Sequence, residues 1–164
     1  AGNGGGAGGG KTRGISRDFT EIFKASAFFG GLAGNAGLFS TARDVARVYQ
    51  MLLNGGEIDG QRYLSKETCQ LFTTEISKIS RRGLGFDKPD ADDPKKGNCA
   101  PAAPAGVYGH TGFTGTCAWV DPVNELVYVF LSNRIYPDVT NRKLNQLHIR
   151  ERIQGAIYDA MKKK

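Results

Sequence analysis

Two β-rich runs near the C-terminus, "YGHTGFTGTCAWVD" and "ELVYVFLSNR", are separated only by "PVN". A connection that short cannot carry a crossover, so the runs must pair as an antiparallel hairpin. The pairing is expected between 116–121 and 126–132. Val127 to Leu131 form a continuous apolar stretch, which suits a central strand buried on both faces. Behind the hairpin, Leu144, Leu147, Ile149, Ile153, Ile157 and Met161 recur at helical spacing. They predict one C-terminal helix over about 141–161, with an apolar stripe that docks on the sheet.

Upstream, "STARDVARVYQMLLNGG" is a second amphipathic helix. Thr41 and Asp44 form a capping box, Val45, Val48, Tyr49, Leu52 and Leu53 share a face, and Gly55 ends it. A short helix follows Ser65. The proline-rich, mixed-charge segment 87–107 reads as a long loop. Helices first, then strands, then a helix argue for an α+β arrangement. With 40% apolar residues in 164, the chain can fill a genuine core.

Cys69, Cys99 and Cys117 include no close pair, which favours free thiols over a zinc site or a disulfide framework. Most of the net charge of +6 lies beyond Asn133, ending in Lys162, Lys163 and Lys164. A solvated helix face explains that better than nucleic-acid binding. No apolar run is long enough to span a membrane. Gly5, Gly10, Lys11 and Thr12 fit a phosphate-loop pattern, but no strand precedes them to aim the loop. The glycine-rich stretch 1–29 therefore reads as a flexible or poorly defined segment, with nucleotide binding a minor alternative. The same holds for other polar residues singled out: His148 reads as a surface or packing residue, Trp119 as core, and Asp90, Asp92 and Asp93 as solvated rather than as a metal cluster.

Gly109-His110-Thr111-Gly112-Phe113-Thr114-Gly115 places a titratable ring and two hydroxyls among three glycines. An acyl group lying along such an edge could receive main-chain N–H hydrogen bonds while His110 and Thr111 face a carboxylate or move a proton. A glycine-rich turn with a surface histidine fits the same spacing, so both readings stand on residues alone.

The ordered stretches "GLAGNAGLFSTARDVARVYQMLLNGG", "LS-KET", "RRGLGFD" and "YGHTGFTGTCAWVDPVNELVYVFLSNR" resemble the C-terminal part of the serine β-lactamase and penicillin-binding-protein superfamily, in particular its class C-like esterases, D-aminopeptidases and β-lactamase-related hydrolases. The resemblance implies that 30–164 is the C-terminal portion of a β-lactamase-like catalytic domain working without metal or organic cofactor. By similarity, His110-Thr111-Gly112 is the third family motif, with His110 catalytic and with His110, Thr111 and Gly112 contacting substrate. The Phe113 N–H would be an oxyanion-hole donor, worth roughly 3 to 4 kcal/mol of transition-state stabilisation. The implied substrate is a small molecule or peptide carrying an amide, ester or β-lactam, and the implied location is periplasmic or extracellular.

The chain departs from the family in lacking Ser-x-x-Lys: Ser16, Ser26, Ser40, Ser65, Ser77, Ser80 and Ser132 all lack lysine three residues on. The family's second motif, Tyr-x-Asn or Ser-x-Asn, is missing too. The expectation is a portion of a larger serine hydrolase, inactive alone and requiring the remainder of its parent. A non-catalytic module that binds a cell-wall peptide or a partner protein is the alternative.

Overall fold

The computed structural model describes residues 30, 38–77, 79–90, 92–93 and 97–162. The phosphate-loop pattern at 5–12 and residues 31–37 of the first family-like stretch lie outside them. The chain divides into two compact units, Ala1–Leu38 and Phe39–Lys164, and the elements below belong to the second.

Helix α1, Ala42–Leu53, starts as its sequence requires. Thr41 Oγ1 accepts the Asp44 N–H at 3.2 Å and donates to the Asp44 carboxylate at 2.9 Å. It ends as Gly55 turns left-handed at φ 68 and the Gly56 N–H reaches back to Met51 O at 2.8 Å. Strands β1 (Glu57–Ile58) and β2 (Gln61–Arg62) then form a small antiparallel hairpin across Asp59-Gly60. Both turn residues have positive φ, the conformation that an Asp-Gly pair favours. Helix α2, Lys66–Thr73, is capped by Ser65, whose hydroxyl accepts the Thr68 N–H at 3.1 Å.

Among the described residues the main sheet has three antiparallel strands in the order β3 (Tyr108–Thr111), β4 (Cys117–Asp121), β5 (Leu126–Phe130). The expected hairpin is present, pairing Cys117 with Phe130 and Asp121 with Leu126. Two expectations need correction. The first β-rich run is itself a hairpin, β3 and β4 joined by the turn 112–116, because the motif's glycines allow the chain to reverse there. Among the described residues the central strand is therefore β4, buried along its whole length, while β5 is paired on one side only and has only Tyr128 fully buried.

Side chains alternate across this sheet. Cys117, Trp119 and Tyr128 share the face that meets Cys99, Val107 and Ile157, and Trp119 is core as expected. Helix α1 lies against β4 and β5. Beside it the Phe86 ring stands edge-on between Tyr49 and Tyr108, with centroids 6.3 and 5.4 Å away.

The single C-terminal helix is the third correction. It is broken into α3 (Lys143–Gln146) and α4 (Ile149–Met161) by His148, which adopts a left-handed backbone at φ 48. The break resets the helical phase. Arg150, Glu151, Gln154 and Tyr158 are buried, whereas Leu147, Ile153 and Met161 of the anticipated stripe are exposed. Pairing with backbone makes part of this polar face tolerable: Gln154 Oε1 accepts the Ala100 N–H at 2.8 Å, and Arg150 O accepts the Tyr128 hydroxyl at 3.1 Å. Among the described residues no helix is long and apolar enough to cross a membrane.

Candidate active site

Strand β3 is positioned from both sides. On its inner side, Gly109 opposes Trp119, and a Cβ at Gly109 would come within 2.1 Å of Ala118 O and 2.6 Å of the Trp119 ring. Only glycine allows β3 and β4 to approach so closely. On its outer side, Asp87 and Gly109 exchange backbone hydrogen bonds of 2.7 and 3.0 Å.

Asp87 is a built anchor. Its buried carboxylate accepts bonds from Arg81 Nε at 2.9 Å, Asn98 Nδ2 at 2.8 Å and the Lys88 N–H at 3.0 Å. Burial pushes this carboxyl up, but the hydrogen bonds from Asn98 and Arg81 and the Arg81 charge outweigh it and hold Asp87 below its usual range. Nearby, Asp90 is not simply solvated: it sits 3.7 Å from Arg81 and accepts the N–H groups of Asp92 and Asp93. Among the described residues no group of three His, Cys, Asp or Glu is placed to hold a metal ion.

Beyond the Asp87 bridge the edge runs into His110, Thr111 and the turn. His110 is exposed, with Nδ1 2.6 Å from Thr111 O. The turn closes through Gly112 N–H to Thr116 O at 2.8 Å and Gly115 N–H to Gly112 O at 2.9 Å. Gly115 sits at φ 95, where any side chain would be strained. Among the described residues no backbone bond is made by the Phe113 N–H, which leaves that donor available at the tip of the turn. A guanidinium stacks over the Phe113 ring, Arg134 Cζ lying 5.0 Å from its centroid, and the Arg134 N–H donates to Thr114 O at 2.9 Å.

Thr111, Gly112 and Phe113 line a polar cavity of about 530 Å³ together with Arg134, Asn145 and Arg150. Of the residues anticipated from sequence, this cavity gathers three. His110, adjacent in sequence, is exposed on the same strand and is not among the residues lining the cavity. Residues not singled out from sequence are Asp87, Arg134 and Arg150. The only available signals were the aspartate closing "RRGLGFD" and the arginines flanking the apolar runs.

The three thiols are free and buried. Burial pushes Cys99 up to about 12 and Cys117 up to about 11, so neither is poised as a nucleophile.

Comparison with known proteins shows the family of the chain. The family model described as Beta-lactamase matches residues 3–151. A protein of Escherichia coli O157:H7 named "Putative D-alanyl-D-alanine carboxypeptidase" is 35% identical over 132 residues, covering 79% of this chain and 30% of its own length. Its namesakes in Escherichia coli K12 and Salmonella agona are 36% identical over 127 residues and 37% over 128, covering 76% and 74% of this chain and 29% and 28% of their own lengths. The chain thus spans under a third of the relatives it matches. On the extent of the family match and the identity of these relatives, the chain belongs to the beta-lactamase family, within the serine β-lactamase and penicillin-binding-protein superfamily.

Proposed function

We propose that residues 30–164 supply the oxyanion and substrate-edge part of a serine hydrolase that forms an acyl-enzyme with an amide, ester or β-lactam. The observation that carries this reading is the 112–116 turn, which is closed by its own hydrogen bonds yet, among the described residues, leaves the Phe113 N–H without a backbone partner beside His110-Thr111-Gly112. An N–H held still by its turn stabilises a developing oxyanion without reorganising during the reaction. The names of the relatives favour a peptide substrate ending in D-alanine.

In this scheme a substrate lies along the β3 edge beyond the Asp87 bridge. Its carbonyl oxygen approaches the Phe113 N–H, and His110 and Thr111 contact the flanking carboxylate or leaving group. Nucleophilic attack requires a serine whose proton a neighbouring base removes. No serine of this chain has the Ser-x-x-Lys spacing, so in this reading the nucleophile and its base are supplied from outside these 164 residues.

A fluorescent covalent serine-hydrolase probe tests the reading. The 164-residue chain should remain unlabelled, and a full-length chain carrying this sequence should be labelled stoichiometrically. Labelling of any serine in the 164-residue chain would overturn the division of roles. A full-length chain that stays unlabelled but binds cell-wall peptide would make the domain a binding module instead.

A further inference from the structure

Arg150 is the most deeply buried cation described, at 6% exposure, and helix α4 was expected to turn its basic residues to solvent. Its guanidinium bridges two elements. Nη1 donates to Thr116 O at 3.4 Å, and Nη2 donates to Asn145 Oδ1, just before the helix break, at 3.1 Å. Its own backbone is tied to β5 through the Tyr128 hydroxyl. Thr116 O is also the acceptor that closes the turn with the Gly112 N–H. Arg150 therefore holds the same carbonyl oxygen that sets the shape of the loop carrying Phe113.

Charge pairing does not explain why an arginine is kept there. Among the described residues Arg150 Nε and Glu151 Oε2 are buried without hydrogen-bond partners, and the nearest approach of the two charged groups is 4.0 Å. An incompletely paired buried charge costs stability. The planar fork, by contrast, suits two acceptors on different elements, which a lysine ammonium cannot match. We infer that Arg150 is a positioning residue for the oxyanion turn, acting on the Phe113 N–H through Thr116 O and Asn145. This rests on the function proposed above.

The test uses full-length enzyme, Arg150→Lys and Arg150→Gln, with active sites titrated by the covalent probe. Per active site, kcat/KM for acylation should fall about tenfold to a hundredfold, the range expected when an oxyanion donor is displaced rather than deleted. The affinity for a boronate that mimics the tetrahedral intermediate should fall by the same factor, while the affinity for a non-covalent product stays within twofold. A residue that merely supports the fold would lower the melting temperature and the active fraction without moving the boronate affinity. Should the Arg150 variants not fold, Asn145→Ala removes the exposed end of the tether and should show the same paired losses, smaller. Arg152→Ala, exposed on the same helix, should change neither quantity. Wild-type acylation with unchanged kcat/KM and boronate affinity in the variants would overturn this inference alone. Failure of the wild type to acylate would overturn the proposed function and this inference with it.

Discussion

The Asp87 and Gly109 main chains exchange two hydrogen bonds, 2.7 and 3.0 Å long, so the strand that carries His110 is clamped one residue before the motif begins. The carboxylate of Asp87 is itself fixed by Arg81 and Asn98. A partly buried ion pair with good geometry thus sets where the exposed edge starts, and the turn's own hydrogen bonds set where it ends.

Gly109→Ala should be among the most damaging small substitutions. Its Cβ would stand 2.1 Å from Ala118 O, and both groups belong to the paired backbone of the sheet. Overpacking of this kind costs about 3 kcal/mol. Gly106→Ala, with nothing within 4 Å, should change stability little. Denaturant midpoints of the two variants check the contrast, and equal midpoints would contradict it.

Asp87 should make the domain acid-sensitive. Its folded-state pKa lies below the ordinary value of 3.8, so its contribution is fully present above that value and is lost as pH falls through the lowered one. Asp87→Asn should lower stability by about 2 kcal/mol at neutral pH, less than for a fully buried pair because Arg81 is partly exposed. It should also flatten the stability profile below about pH 4. Unfolding free energies measured from pH 2 to 7 decide this, and an unchanged acid limb in the variant would count against the clamp.

Cys69, Cys99 and Cys117 should resist alkylation in the folded protein at pH 8. All three are buried and burial raises each thiol, Cys99 to about 12 and Cys117 to about 11. Mass spectrometry after iodoacetamide should find modification only on addition of denaturant. Rapid native labelling would mean that the core opens readily.

His110→Ala should separate chemistry from folding. The ring is exposed and its recorded bond is to the adjacent Thr111 O, so stability should shift by less than about 0.5 kcal/mol. In the full-length enzyme acylation should slow, because the side chain stands on the substrate edge. Unchanged acylation kinetics would show that the His-Thr-Gly match misleads.

Local chemistry made much of the fold legible. Thr41 with Asp44 and Ser65 with Thr68 cap the two helices where short-range rules place them, and "PVN" dictated the β4–β5 pairing. The errors came where tertiary contacts decide. Periodicity could not reveal that the motif's glycines fold the first β-rich run back on itself, which moved the centre of the sheet from Val127–Leu131 to Cys117–Asp121. Nor could it reveal the left-handed His148, after which Arg150 and Gln154 turn inward on partners from distant segments. For the site, His110 to Phe113 stood out as a motif. Asp87 and Arg150 did not, because their roles depend on Gly109 O and Thr116 O, backbone atoms that carry no sequence signature.

The central claim is that the Phe113 N–H receives the oxyanion. In full-length enzyme labelled with nitrogen-15, the Phe113 amide resonance should be followed as a boronate forms its tetrahedral adduct. A downfield proton shift at Phe113, with slowed hydrogen exchange there and little change at Gly106, is the result predicted. An adduct that forms while the Phe113 amide stays unmoved would contradict the account.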